Sequence, residues 1–132
     1  LSPPTCLRRV KRLHALGLIE RTVSILNADR LKPLLGAGLT AIVEVTLDVQ
    51  TEEAQSAFEN RAVQDPAVQQ CYRTSPGPDF VTVADMPAFM AASQRLFTQD
   101  ANVRNVRSFF SMQRAKFSPH LPLHGHMHDE VL

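Results

Sequence analysis

From residue 39 onward the chain keeps switching between a two-residue and a three-to-four-residue hydrophobic rhythm, and that order of switching constrains the fold more than any single motif. Residues 39–47 alternate around Ile42, Val43, Val45 and Leu47, with Glu44 and Thr46 interleaved, and read as a strand. Thr51-Glu52-Glu53-Ala54 opens a helix with a hydroxyl cap and early acids; Ala54, Phe58 and Ala62 keep helical spacing until Asp65-Pro66 ends it. Residues 68–73 and 80–84 are two short strands about Thr74-Ser75-Pro76-Gly77-Pro78-Asp79, a loop of turn formers, and so predict a hairpin. Asp85 then caps a helix that has Pro87 in its first turn and Phe89, Met90, Ser93, Leu96 and Phe97 at helical spacing. A last strand is expected over residues 103–116.

Strand, helix, strand, strand, helix, strand is the split βαβ order, which predicts an α+β, ferredoxin-like βαββαβ antiparallel sheet with two helices on one face. One sheet face is then left bare. Bare apolar faces of small sheets usually meet another subunit, so a homo-oligomer, at least a dimer, is expected.

A different pattern precedes this block. Ser2 has a side-chain oxygen for the free N–H groups of a helix, and Pro3 suits its first position. At about 100° per residue, Cys6, Leu7, Val10, Leu13 and His14 share one arc, while Arg8, Arg9, Lys11 and Arg12 lie opposite. Gly17 suits a left-handed C-terminal position, so the helix should stop near Leu16, and residues 18–26, with Ile19, Val23 and Ile25, alternate well enough for a connecting strand. A cationic amphipathic helix of this kind fits a solvated face, a partner-binding helix, a membrane-surface helix or a nucleic-acid reader. The membrane reading is the poorest, because no aromatic or Phe/Leu-rich face accompanies the charges.

The formal net charge of +1 conceals an asymmetry: up to Arg21 the basic residues Arg8, Arg9, Lys11, Arg12 and Arg21 face only Glu20. Any nucleic-acid affinity therefore belongs to the N-terminal segment. With 132 residues, 44% hydrophobic and 20% charged, the chain has material for one core and a small appendage. Cys6 and Cys71 lie far apart in apolar patterns, Cys6 being expected to pack within its helix; no signal peptide or span of about 20 apolar residues is visible, which fits the cytoplasm and no membrane partner.

The run Ser2-Pro3-x-x-Cys6-Leu7-x-Arg9-Val10-x-Arg12-Leu13, followed by Gly17-Leu18-Ile19 and Leu26-Asn27, resembles the Lrp/AsnC family of feast/famine transcriptional regulators, with the likeness running from Leu1 to about Leu123. The resemblance implies a DNA-binding regulator. It makes the first helix the major-groove reader of a helix-turn-helix whose two earlier helices are absent, an N-terminal truncation consistent with a chain that opens on Leu1 at a helix cap. On this basis Ser2, Thr5, Arg8, Arg9 and Arg12 are expected to face double-stranded DNA. The expected organisation is residues 1–31 for the DNA-binding remnant and connecting strand, 36–118 for an effector-binding and oligomerisation domain, and 119–132 for a His-containing tail.

The family pairs its subunits, often further into octamers, and a Gly-x-x-Asp motif between the second and third strands helps to form an amino-acid effector site. Here that stretch is Pro76-Gly77-Pro78-Asp79-Phe80, with Pro76 where glycine is expected. Ser75, Gly77, Asp79 and Phe80 are the candidate effector residues. Because two prolines remove N–H donors and stiffen the loop, the same residues also read as a rigid turn in a regulator that ignores amino acids or answers another ligand; Thr74 and Ser75 are the possible substitutes for the lost donors.

Catalysis has little to stand on. His14 sits among apolar positions, Asp48, Glu52 and Glu53 suit a helix N-terminus, and no Ser/His/Asp or Cys/His set or phosphate-cradling glycine loop is apparent. No enzyme activity and no cofactor are expected. The tail places His120, His124, His126 and His128 together, and three of them alternate as metal ligands would; a polar tail without metal is the favoured reading. The competing reading of the whole is a ligand-sensing or enzymatic domain on the same sheet that does not bind DNA.

Overall fold

A computed structural model describes residues 2–35 and 39–123. The chain divides into two compact units, Leu1–Asn27 with Phe117–Leu132, and Ala28–Lys116.

In the first unit, helix α1 spans Pro3–Ala15. It ends as expected: Leu16 N–H donates to Arg12 O at 2.9 Å and Leu18 N–H to Leu13 O at 3.0 Å, while Gly17 adopts φ +75°. The connecting strand does not form. Residues 18–27 are irregular, and Val23, Ile25 and Leu26 are exposed. Alternation suits a segment for a sheet, but a strand needs a ladder partner, and none pairs with this segment among the described residues. Cys6, expected to pack, is also exposed.

The second unit opens with a helix not expected from the sequence, α2, Ala28–Leu35, with Asp29 in its first turn. Pro33 lies inside it, and a proline at that position masks a helical pattern by removing an N–H. The strands and helices that follow keep the expected order: β1 Thr40–Leu47, α3 Glu52–Gln64, β2 Val68–Arg73, β3 Phe80–Asp85, α4 Met86–Ser93 running into a π-helical turn Gln94–Thr98, and β4 Val103–Ser111. The sheet order is β2-β3-β1-β4, and every pairing is antiparallel. β4 stops at Ser111 rather than at residue 116, because its partner β1 begins at Thr40, which lies opposite Ser111. Met112, one residue on, is 84% exposed.

Register assigns the faces. Ala41, Val43, Val45 and Leu47 of β1 are fully buried, with Phe80, Thr82 and Ala84 of β3 beside them. Over this face lie Phe58 and Ala62 of α3, Phe89 and Ala92 of α4, and Leu96 and Phe97 of the π-turn. Phe58 is the hub of the layer, its ring centroid 4.8 Å from Phe80 and 6.5 Å from Phe97. Ile42, Glu44 and Thr46 of β1 and Val81 and Val83 of β3 point to the opposite face and stay partly accessible, as the alternating pleat requires.

Bidentate Arg95 joins the end of α3 to the π-turn by donating from Nε to Asp65 Oδ2 and from Nη2 to Asp65 Oδ1, both at 3.2 Å. The hydrogen bond from Arg95 holds the Asp65 carboxyl below the usual aspartate range. Asn102 joins the turn before β4 to the end of β1: Val49 N–H donates to its Oδ1 at 2.8 Å and its Nδ2 donates to Val49 O at 3.0 Å.

Candidate nucleic-acid interface and ligand loop

Helix α1 carries all five residues expected at DNA. Ser2 is its N-cap, accepting from Thr5 N–H at 3.4 Å, with Ser2 Oγ 2.8 Å from Thr5 Oγ1. No acidic residue stands in the first turn, so nothing offsets the positive end of the helix dipole. At about 100° per residue, Thr5, Arg8, Arg9 and Arg12 fall within one arc of roughly 100°. Their juxtaposition is a property of the helix alone. On the other side Leu7 is 57% exposed and Val10 is also exposed, so the apolar arc expected to pack lies open among the described residues.

The hairpin loop is built differently from what its motif suggests. Asp79 is only 7% exposed; its Oδ2 accepts from Leu47 N–H at 2.7 Å and from Gln50 Nε2 at 3.2 Å. Its own N–H donates to Val45 O at 2.9 Å. The carboxylate thus ties the hairpin to the end of β1. Phe80 is 0% exposed and packs on Phe58: as the first residue of β3 it points its ring to the core face of the sheet. Thr74, a possible substitute donor, gives its hydroxyl hydrogen to Pro78 O at 2.6 Å and its N–H to Asp79 O at 2.9 Å. Ser75 and Gly77 remain on the outside. Gly77 has φ +116°, a conformation that explains why glycine stands there and not at residue 76.

Nothing in the sequence marked Gln50 or the Leu47 amide as partners of Asp79. A lone polar residue after an apolar strand has no pattern to betray it.

Other candidates separate. On β2, Cys71 lies opposite Thr82, and burial, assisted by Glu59, pushes its thiol above the usual range, which disfavours a thiolate nucleophile. Arg73 of the same strand donates from Nη1 to both carboxylate oxygens of Glu52 at 3.1 Å and pairs with Glu59; the Arg73 hydrogen bond holds the Glu52 carboxyl below the usual range. Glu52 is thus engaged with a neighbouring cation as well as placed at a helix start. Among the described residues no three His, Cys, Asp or Glu side chains cluster as metal ligands. Ser118 Oγ is 2.8 Å from His120 Nδ1; His124, His126 and His128 lie outside the described residues. Among the described residues no helix is long and apolar enough to cross a membrane.

Comparison with known proteins agrees with this architecture. The model of the Lrp/AsnC ligand binding domain matches residues 40–121. An HTH-type transcriptional regulator of Haemophilus influenzae is 30% identical over 118 residues, covering 87% of this chain and 68% of the relative. Among solved structures, an AsnC family transcriptional regulator from Agrobacterium tumefaciens superposes with a TM-score of 0.75 at 26% identity, over 92% of this chain and 78% of that one. A transcriptional regulator of Neisseria meningitidis in complex with L-Met gives a TM-score of 0.74 at 26% identity and the same coverage. With its βαββαβ sheet, its preceding cationic helix and a family match across most of the sheet unit, the chain belongs to the Lrp/AsnC family.

Proposed function

We propose that the protein is a DNA-binding transcriptional regulator that acts as a homo-oligomer, a dimer or an octamer built from dimers, in the cytoplasm. The observation that carries this reading is the single arc of Thr5, Arg8, Arg9 and Arg12 on a capped helix, in a chain whose relatives are HTH-type regulators. Three guanidinium groups on one helix face neutralise phosphates and reach base edges, while Ser2 and Thr5 lie at the helix start, where N–H groups and the dipole favour a phosphate. Oligomerisation through the partly apolar open face of the sheet brings two such helices into one assembly, which a two-fold symmetric site matches.

An amino-acid effector acts on this assembly, and residues 74–79 form part of its site. The complex of the Neisseria meningitidis relative with L-Met supports that class of ligand. In this chain Ser75 and Gly77 are the outward elements, and Asp79 and Phe80 shape the loop from within. The protein is a regulator and not an enzyme.

Fluorescence anisotropy of the full-length protein on its own promoter DNA, against scrambled DNA in the same salt, tests the proposal. Binding at least about tenfold tighter to the promoter is expected. Equal, weak binding to both would favour a ligand-sensing domain that does not read DNA.

A further inference from the structure

Between the π-turn and β4, at the edge of the sheet opposite β2, lies a cleft of about 330 Å³. Its apolar lining includes Phe89, Phe97 and Val106, and its polar lining includes Thr98, Asp100 and Arg104. This volume is at the low end of small-molecule sites, ~300–1,000 Å³, and suits a metabolite rather than a peptide.

Two independent irregularities of the backbone border the cleft. The helix that begins as α4 takes a π-helical turn over Gln94–Thr98, a form that is rare within helices and concentrated at functional sites. Across from it β4 slips register: Thr46 pairs with Asn105 and Leu47 with Val103, leaving Arg104 without a partner on β1. A bulge of this kind redirects a side chain that regular pairing would fix. Here the unpaired residue is an exposed arginine that lines the cleft.

The charges then select a ligand. Asp100 is already spent, its Oδ2 on Arg61 and its Oδ1 accepting from Asn102 N–H at 2.9 Å. Among the described residues the Arg104 guanidinium has no hydrogen bond or ion pair. The cleft therefore offers one uncompensated cation beside the apolar side chains of Phe89, Phe97 and Val106, and no free carboxylate for an ammonium.

We propose that this cleft binds a small monocarboxylate with an apolar chain and no ammonium group, its carboxylate on Arg104 and its chain against Phe89, Phe97 and Val106. The fork of the guanidinium suits a bidentate carboxylate, and the neighbouring Thr98 hydroxyl supplies a further donor. The site is separate from the hairpin loop, since β2 and β4 are opposite edges of the sheet, and it does not depend on the DNA-binding reading.

The test is a ¹H–¹⁵N correlation titration of the full-length protein with 4-methylpentanoate, and with L-leucine, the same skeleton carrying an ammonium group. Saturable shifts of the Thr98, Arg104 and Asn105 amides with 4-methylpentanoate are expected, with L-leucine at least about tenfold weaker at those amides, the factor of one charge-assisted bond. Arg104→Gln and Arg104→Ala should each weaken 4-methylpentanoate by about tenfold or more, while Arg107→Ala, on the same strand, leaves it unchanged. Unshifted circular dichroism of the variants establishes that they fold. Absence of saturation by about 10 mM, L-leucine binding as tightly at these amides, an unaffected Arg104 variant, or shifts confined to residues 74–79 would overturn the proposal.

Discussion

The carboxylate of Asp79 accepts a 2.7 Å hydrogen bond from the backbone N–H of Leu47, a residue 32 positions earlier and itself buried. The carboxylate thus locks the hairpin loop to the end of β1. Asp79→Ala leaves that buried N–H without an acceptor and should cost about 1–3 kcal/mol, read as a lowered urea midpoint. Asp79→Asn keeps an acceptor oxygen in place and should recover much of the loss; equal destabilisation by both would show that the stability does not rest on this bond.

Neutralising Arg8 and Arg9 together should flatten the salt dependence of DNA affinity by about 1.8 in log–log slope if both meet phosphates. Self-association, followed by light scattering, should not change, because the sheet lies in the other unit. An unaltered slope would remove these two residues from the interface.

Stability against acid should depend on Asp65. Arg95 holds its folded carboxyl below the unfolded value, so the pair's contribution is complete above about pH 4 and is lost as pH falls from there through the depressed folded value. Arg95→Ala should therefore make the melting temperature fall less steeply below about pH 4, with the gap between parent and variant widest at neutral pH. A gap that persists undiminished at low pH would mean Arg95 acts by packing alone.

Phe58→Ala removes the ring that Phe80 and Phe97 share, at 4.8 and 6.5 Å. A loss of about 3–5 kcal/mol is expected from chemical denaturation, since a flat layer over a sheet collapses poorly into such a void.

Gly77→Ala tests the loop backbone without a clash, as an added Cβ meets nothing within 4 Å. The cost should be conformational only, about 1–3 kcal/mol, with an unchanged far-UV spectrum. A neutral effect would mean that the loop readily takes another conformation.

The N-cap at Ser2, the stop at Gly17, the arginine arc and the alternation of β1 were legible because each is decided within four residues by backbone geometry. The open end of β4 was not, since only the position of Thr40 on a neighbouring strand says where its ladder ends. Residues 18–26 show the converse failure: a strand-like alternation with no partner stays irregular. Helix α2 escaped because Pro33 argues locally against what the chain adopts.

By itself the sequence determined the order of strands and helices from β1 onward, the cationic face of the first helix and the turn at residues 74–79, all consequences of short-range periodicity and φ/ψ preference. Tertiary structure alone decided that Asp79 turns inward to Leu47, that Phe80 belongs to the core, and that a register slip frees Arg104 beside a cleft. Burial and register are settled by groups distant along the chain, and a carboxylate or a guanidinium takes its role from whichever partner packing brings within hydrogen-bond reach.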